Sequence, residues 1–415
     1  MGYDCIIIGG GAAGLAAAVF LGQAAAKRRV SPSVLLLEKG QRVGKKLLAT
    51  GNGTCNLSNI FATEKDYHGD KNLVISALKA LTIEDTLAFF HTIGVDTAVR
   101  EDGKVYPHSE QAGAVLDSLR LEAEALGVTI RCQQTVDKLT PCKVGWQVWV
   151  EGTPYTARQV LVAVGGAAAP ALGGSADGYR LLTDLGCKKT PLFPSIVQLR
   201  TATDYVRAVK GIRVDGRISL RLDGKELATR TGEILFTDYG LSGPAVMGLS
   251  RYAADWERQK KGNLTAHLDL LPDWDKDSLC ARIAQRGKLR GRTLEDLLTG
   301  LLHKRVGQTV LRVAEVLPLT RPTDTLTAQE CERVATVIKN WSLAVTGTQG
   351  FGGAQVTAGG IDGAEIDPAT MRLRRHEGLY AVGEVLNVDG DCGGFNLQFA
   401  WSSAYVAARA IAANW

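Results

Sequence analysis

A short apolar strand that runs directly into a glycine fingerprint constrains this 415-residue chain more than any other feature. Asp4-Cys5-Ile6-Ile7-Ile8 leads into Gly9-Gly10-Gly11-Ala12-Ala13-Gly14, and a run of small residues continues to Ala26. The pattern is GxGxxG between a strand and a helix. Gly9 permits a tight turn, Gly11 lets backbone approach a pyrophosphate, and Gly14 allows helix and strand to pack closely. The helix start at Ala12 and Ala13 then faces phosphate charge. Ser33-Val34-Leu35-Leu36-Leu37-Glu38 is a second apolar strand, and Glu38 stands 24 residues beyond Gly14. An acid at that distance is suited to accept hydrogen bonds from ribose hydroxyls, with Lys39 beside it.

Continuous hydrophobic strands around a helix denote a parallel βαβ unit buried on both faces. The expected fold class is therefore α/β, a Rossmann-like dinucleotide-binding domain with a parallel sheet. A chain of this length exceeds one core, so inserted domains are expected too. The boundaries read as a dinucleotide-binding domain over 1–190 plus 350–415, an inserted β-rich domain over 191–272 and an inserted helical domain over 273–349. Within the first, residues 71–127 are expected to be mostly helical, with Lys104-Val105-Tyr106-Pro107 as a strand. Gln147 to Val150 and Tyr155 to Val164 read as a hairpin. In the insertions, Ser195 to Leu199, Ile218 to Leu222 and Gly232 to Thr237 read as strands, and Leu294 to Leu302 and Thr309 to Val316 as amphipathic helices. A helix from about Gln398 to Ala413 closes the chain.

Composition narrows the class. Apolar residues make up 45% and charged residues 22%, an ordinary soluble balance. The longest apolar run, Ala12 to Ala26, is interrupted by Gly22 and Gln23 and is shorter than the roughly 20 residues that span a bilayer. The chain enters its first strand at once, so no signal peptide is expected. Eight cysteines without CxxC pairing and six scattered histidines give no metal-ligand pattern. A cytoplasmic protein with reduced thiols, no membrane partner and no metal is the expectation; the oligomeric state stays open.

Three later segments choose between NAD and FAD. Leu161 to Gly166 is an apolar strand ending in glycines, which brings Ala163, Gly165 and Gly166 beside an adenine dinucleotide. Gly378 to Glu384 is another, with Gly383 at its turn and Glu384 suited to a ribityl chain. Gly393-Gly394-Phe395-Asn396-Leu397-Gln398 then opens the last helix, whose first amides suit the negative N1/O2 edge of a reduced flavin. FAD is the expected cofactor.

With these segments, Gly51-Asn52-Gly53-Thr54-Cys55-Asn56-Leu57, Gly240-Leu241-Ser242-Gly243-Pro244 and Val356 to Ile361 resemble the HI0933-like (BaiN/YhiN) flavoprotein family across nearly the whole chain. The resemblance implies an FAD-binding oxidoreductase with Asn52, Gly53, Gly394, Phe395 and Leu397 near the cofactor and NADH or NADPH as hydride source. The resemblance implies an arginine where this chain has Thr54, so a cationic contact is either missing or supplied elsewhere, by Lys45 or Lys46. Two substrate kinds are implied: uridine in 23S ribosomal RNA, giving dihydrouridine, and unsaturated 3-oxo bile acids of the kind a 3-dehydro-bile acid delta(4,6)-reductase takes. Both carry a C=C conjugated to a carbonyl. Hydride reaches the β carbon, an oxyanion needs donors, and the α carbon needs a proton. Asn396 or Gln398 is assigned to the carbonyl and Cys55 to the proton, with Cys392 a weaker candidate and a tyrosine an alternative. His108 reads as a solvated loop residue, with a place facing substrate as the alternative.

Between Ala281 and Arg312 eight basic residues (Arg282, Arg286, Lys288, Arg290, Arg292, Lys304, Arg305, Arg312) face only Glu295 and Asp296, a net of +6 against +5 for the whole chain. This basic segment, 282–312, reads either as a solvated helix face or as a patch for RNA phosphates, and in the second case favours ribosomal RNA over a small enone as partner. An oxidase or monooxygenase, and a non-catalytic RNA-binding flavoprotein, are the competing classes. A disulfide reductase is disfavoured, because Cys55 stands alone until Cys132 and no second glycine fingerprint marks an NADPH domain.

Overall fold

Strand β1, Gly2–Ile8, lies at the centre of the main sheet in a computed structural model that describes residues 2–415. Its last four residues are buried, as a strand covered on both faces requires. Helix α1 (Ala12–Arg28) and strand β2 (Val34–Leu37) follow. Strands β3 (Thr129–Arg131), β4 (Thr153–Val162) and β5 (Leu379–Ala381) complete a parallel array in the order β3-β2-β1-β4-β5. Gly145–Val150 pairs antiparallel with β4, as the hairpin reading required, and Val136–Cys142 adds a further strand that the sequence did not reveal. Only Leu139 of that strand is buried, so it carries little hydrophobic signal.

Helix α2 (Phe395–Ala412) brings the end of the chain back to its beginning. Phe20 of α1 meets Tyr405 of α2 edge-on, with ring centroids 5.2 Å apart. Both helices are buried nearly all round, which is why each reads as apolar rather than as one-sided. The long excursion between β2 and β3 holds the helices Lys71–Ala80, Ile83–Thr92 and Ala112–Ala125, and a small sheet of Ser58–Asn59, Lys104–Pro107 and Thr97–Val99. All of this belongs to one unit, made of residues up to Pro194 together with Gln355–Trp415.

The second unit is Ser195–Ala354. Six strands close a barrel in the order Leu199–Thr201, Gly240–Ser242, Lys225–Phe236, Arg213–Leu222, Leu264–Asp269 and Trp341–Thr348, the last returning to the first. The expected separation of a β-rich domain over 191–272 from a helical domain over 273–349 is corrected here. Trp341–Thr348 closes the barrel, and helices Lys276–Gly287, Lys304–Val313 and Ala328–Lys339 share one hydrophobic core with it. Two local expectations also change. Ile196 has a left-handed φ of 51°, which breaks an extended run from Ser195, so that strand begins at Leu199. Leu294 to Leu302 contains only a 3₁₀ turn, Leu294–Asp296; Leu294, Leu297 and Leu298 are spaced for burial, but Gly300 at φ 80° ends the turn. No helix among the described residues is long and apolar enough to cross a membrane.

Trp341 is 2% exposed and stacks on Phe236 across the barrel, ring centroids 5.6 Å apart. Trp341→Ala is expected to cost about 3–5 kcal/mol, read as a fall in the denaturation midpoint by far-ultraviolet circular dichroism.

Candidate dinucleotide site

Backbone contact defines the floor of the site. Gly9 has φ 106°, and a Cβ there would stand 2.4 Å from the Ala163 carbonyl oxygen. A Cβ on Gly14 would stand 1.9 Å from the Gly9 carbonyl oxygen. Only hydrogen fits at either position, so β1, the start of α1 and the end of β4 meet at backbone distance. Gly11 is different: a Cβ there would enter open space. Gly11 is also the N-cap of α1 and no side chain caps that end, so the first amides of the helix around Ala12 and Ala13 border a free volume. Beside them the Glu38 carboxylate is pinned, Oε2 accepting from Gly10 N at 2.8 Å and Oε1 from Gly40 N at 2.6 Å. Each oxygen retains a second lone pair for a hydroxyl.

The second wall comes from the far end of the chain. Gly165 (φ 72°) also borders open space, whereas a Cβ on Gly166 would meet Thr357 Oγ1 at 2.5 Å and Glu384 Oε1 at 2.6 Å. Gly383 (φ 72°) approaches Ala13, where a Cβ would lie 3.0 Å from the alanine methyl. Glu384 has its Oε1 on Thr357 N at 2.8 Å and its Oε2 on Lys46 Nζ at 2.7 Å. Of the expected cations, Lys46 is therefore matched by a carboxylate, and Lys39 and Lys45 are exposed.

The 51–59 segment forms the third element. Gly51, Asn52, Gly53 and Cys55 all have positive φ, between 56° and 94°, a conformation that glycine and asparagine tolerate. Asn52 and Gly53 are exposed at its tip. Thr54 donates from Oγ1 to Gly51 O at 2.6 Å and so closes the loop on itself. The segment is then sewn to the start of α2. Asn59 Nδ2 donates to Gly393 O at 3.2 Å, and Trp401 Nε1 donates to Leu57 O at 3.0 Å. Tyr67 Oη donates to Phe395 O at 2.9 Å. Asn56, with its amide turned to satisfy both ends, donates to Ser58 O at 2.9 Å and accepts from Gly394 N at 3.2 Å.

The geometry shows how the three expected catalytic residues are engaged. Gln398 is fully buried; its Oε1 accepts from Ser58 Oγ at 2.6 Å and its Nε2 donates to Thr86 Oγ1 at 2.8 Å and Ser402 Oγ at 2.9 Å. It holds the core, because its place on α2 turns it inward, and it has no amide hydrogen left for a substrate carbonyl. Asn396 uses both ends on one residue, Oδ1 accepting from Gly390 N at 2.8 Å and Nδ2 donating to Gly390 O at 2.9 Å. Its side chain shapes the turn before α2, leaving Leu397, half-buried, beside it. Cys55 has no exposed surface, and burial pushes its thiol from 9.0 to about 11, against an opposing hydrogen bond with Thr50. Cys392 is likewise pushed up by burial, with Lys104 opposing. His108 is exposed, as a solvated loop residue should be.

Tyr106 is the tyrosine that borders this loop. Its ring lies against the loop, 3.3 Å from where a Cβ of Gly51 would stand, and the Arg100 guanidinium sits 5.2 Å from the ring centroid. Burial raises its hydroxyl above the ordinary tyrosine range, and Lys104 partly offsets this. Alternation offered a signal: Val105 and Pro107 are buried in the strand, so Tyr106 belongs to the opposite face. The basic segment is partly consumed by internal contacts. Arg286 Nε donates to Leu297 O at 2.6 Å, Arg305 donates to Ala208 O, and Lys304 pairs with Asp296 at 3.1 Å.

The residues present fit an FAD. Open room lies above Gly11 and Gly165, α1 begins without a side-chain cap, and Glu38 keeps acceptor capacity. The HI0933-like protein Rossmann domain family matches residues 3–410. A 3-dehydro-bile acid delta(4,6)-reductase of Clostridium scindens is 35% identical over 98% of this chain and 98% of its own. A ribosomal RNA dihydrouridine synthase of Escherichia coli is 29% identical over 99% and 98%. Among solved structures, the 3-ketosteroid delta1-dehydrogenase of Sterolibacterium denitrificans aligns over the full length of both chains with a TM-score of 0.53 at 14% identity, a likeness of fold.

Gly14→Ala is expected to lower FAD affinity more than tenfold and to destabilise the fold, because Gly9 O occupies the methyl's place; absorbance of the purified protein near 450 nm reads the loss. Gln398→Ala is expected to cost about 1–3 kcal/mol for each hydroxyl left unsatisfied while the bound flavin spectrum persists. An unchanged melting temperature with abolished turnover would instead make Gln398 catalytic.

Proposed function

The chain belongs to the HI0933-like family, and from that premise we propose that it is an FAD-dependent oxidoreductase that reduces a C=C bond conjugated to a carbonyl, taking hydride from NADH or NADPH, with uridine in ribosomal RNA as its substrate. The observation that carries the choice of substrate is the distribution of charge. Residues 195–354 hold 24 basic and 18 acidic side chains, a net of +6 against +5 for the whole chain, so the rest carries −1. A cationic surplus confined to the insertion suits a polyanion with many phosphates better than an enone acid with a single carboxylate.

Reduced FAD, when bound, supplies the hydride to the β carbon. The chain supplies everything else. The uncapped first turn of α1 holds the pyrophosphate and Glu38 accepts from a ribose hydroxyl. The backbone amides of Phe395, Asn396 and Leu397 in the first turn of α2 are the donors for negative charge, since Gly394 N already serves Asn56 and the side chains of Asn396 and Gln398 are occupied elsewhere. Tyr106 delivers the proton to the α carbon and is recharged from solvent; its raised hydroxyl stays protonated through neutral pH. A second reading, reduction of an unsaturated 3-oxo steroid-like acid, is favoured by the 35% identity to the bile-acid reductase.

Two measurements separate these. Ribosomal RNA from a strain lacking the gene is expected to lose a uridine heavier by about 2 Da, one added hydrogen pair; unchanged RNA, with the reduced protein reoxidised by a 3-oxo-4-ene acid, establishes the second reading. Failure of both NADH and NADPH to bleach the bound flavin would leave a non-catalytic RNA-binding flavoprotein. Tyr106→Phe is expected to slow turnover by about 10²–10⁴ with flavin content unchanged; retention of full turnover removes Tyr106 from the proposal.

A further inference from the structure

On the outer face of the inserted barrel lies a cleft of about 320 Å³. Arg217, Ser219 and Arg221 alternate along Arg213–Leu222 and so share one face of that strand. Across the ladder Ser219 registers with Thr229 on one side and His267 on the other, and all three line the cleft. Asn340, whose Oδ1 accepts from His267 Nδ1 at 2.8 Å, closes one edge.

The charges on this surface are unequal in their commitments. Lys339 is neutralised by Asp269 at 2.8 Å. Arg217 and Arg221 have neither a hydrogen-bond nor an ion-pair partner among the described residues for their guanidinium groups, although Glu226 stands opposite Arg221 in the ladder. Four residues along a strand put the two arginines roughly 13 Å apart. One strand of a nucleic acid helix carries a charge about every 3.4 Å along its axis, so several phosphates pass over such a span. Guanidinium groups match phosphate oxygens in a bidentate fork, and Ser219 and Thr229, whose hydroxyls bond to each other at 2.7 Å, leave one O–H between them as a neutral donor. No apolar side chain lines the cleft, so it does not suit a flat hydrophobic ligand.

We propose that this barrel face, with Arg217 and Arg221 as its anchors, grips the phosphodiester backbone of the RNA substrate. The proposal rests on the reading that the substrate is RNA. It moves the main RNA contact from the 282–312 segment, where Arg286, Arg305 and Lys304 are engaged within the protein, to three strands of the barrel.

The test uses full-length flavin-loaded protein, a fluorescein-labelled single-stranded ribosomal RNA fragment, and titrations at several salt concentrations. The Arg217→Gln/Arg221→Gln pair is expected to weaken binding about tenfold or more. It should also shrink the slope of log K against log salt by about 1.4, two contacts at ~0.7 each. The flavin spectrum and melting temperature serve as folding controls and should stay as in the parent. Arg290→Gln/Arg292→Gln, in the exposed part of the helical segment, is expected to have a smaller effect. Equal binding by parent and Arg217/Arg221 variant overturns the proposal, as does competition by poly-L-glutamate as effective as that by RNA, which would indicate an acidic protein partner. Displacement by millimolar inorganic phosphate without measurable RNA binding overturns it in favour of a small anion. In cells, a gene-deletion strain rescued fully by the variant sinks this surface but leaves the RNA reading intact. A deletion strain with unaltered RNA sinks the reading itself.

Discussion

The site depends on three backbone segments approaching without side chains between them. Gly9 lies against the Ala163 carbonyl and Gly14 against the Gly9 carbonyl, so β1, α1 and β4 are held at a separation no larger residue permits. That closeness sets the start of α1 above the strand ends, where its free amides and the pinned Glu38 carboxylate face the same volume. It also fixes where the later glycines at 165, 166 and 383 arrive. Parallel strands β4 and β5 carry them to the same edge of the sheet, the carboxyl ends where a ligand crevice forms in open α/β sheets.

A second constraint is polar. Ser58, Thr86, Gln398 and Ser402 are all fully buried and satisfy one another. A buried amide with every hydrogen used costs little, while the loss of one partner strands several others. This network, with the Asn59, Tyr67 and Trp401 bonds, ties the 51–59 loop to the opening of α2. It holds in place a loop that carries four left-handed residues, and it occupies the side-chain amide of Gln398 within the core. Thr54 fits the same logic, its hydroxyl occupied in closing the loop.

Much of the architecture was legible because its signals are local. The strand–glycine–helix run, Glu38 at the end of β2, the hairpin before Gly165 and the glycines at 383 and 393–394 each follow from backbone needs that only certain residues meet. The roles of Asn396, Gln398 and Cys55 were not legible, because amides and thiols look alike whether they face a ligand or a buried hydroxyl. The direction of a side chain on α2 depends on how that helix is rotated against the core. Val136–Cys142 and the barrel strand Trp341–Thr348 were missed for a related reason. The first is mostly exposed, and the second is recognisable as part of the barrel only through its partners.

The amino-acid sequence by itself determined a dinucleotide fold assembled from both ends of the chain around an insertion, and the cationic character of that insertion, since glycine spacing, apolar runs and charge are properties of neighbours along the backbone. The tertiary structure alone decided which polar groups remain free. Lys46 meets Glu384, Arg286 and Arg305 turn to carbonyls, and Arg217 and Arg221 are left uncommitted on the barrel. Hydrogen bonds and ion pairs are satisfied between residues distant in sequence, so the surplus left for a partner can be counted only after the chain has folded.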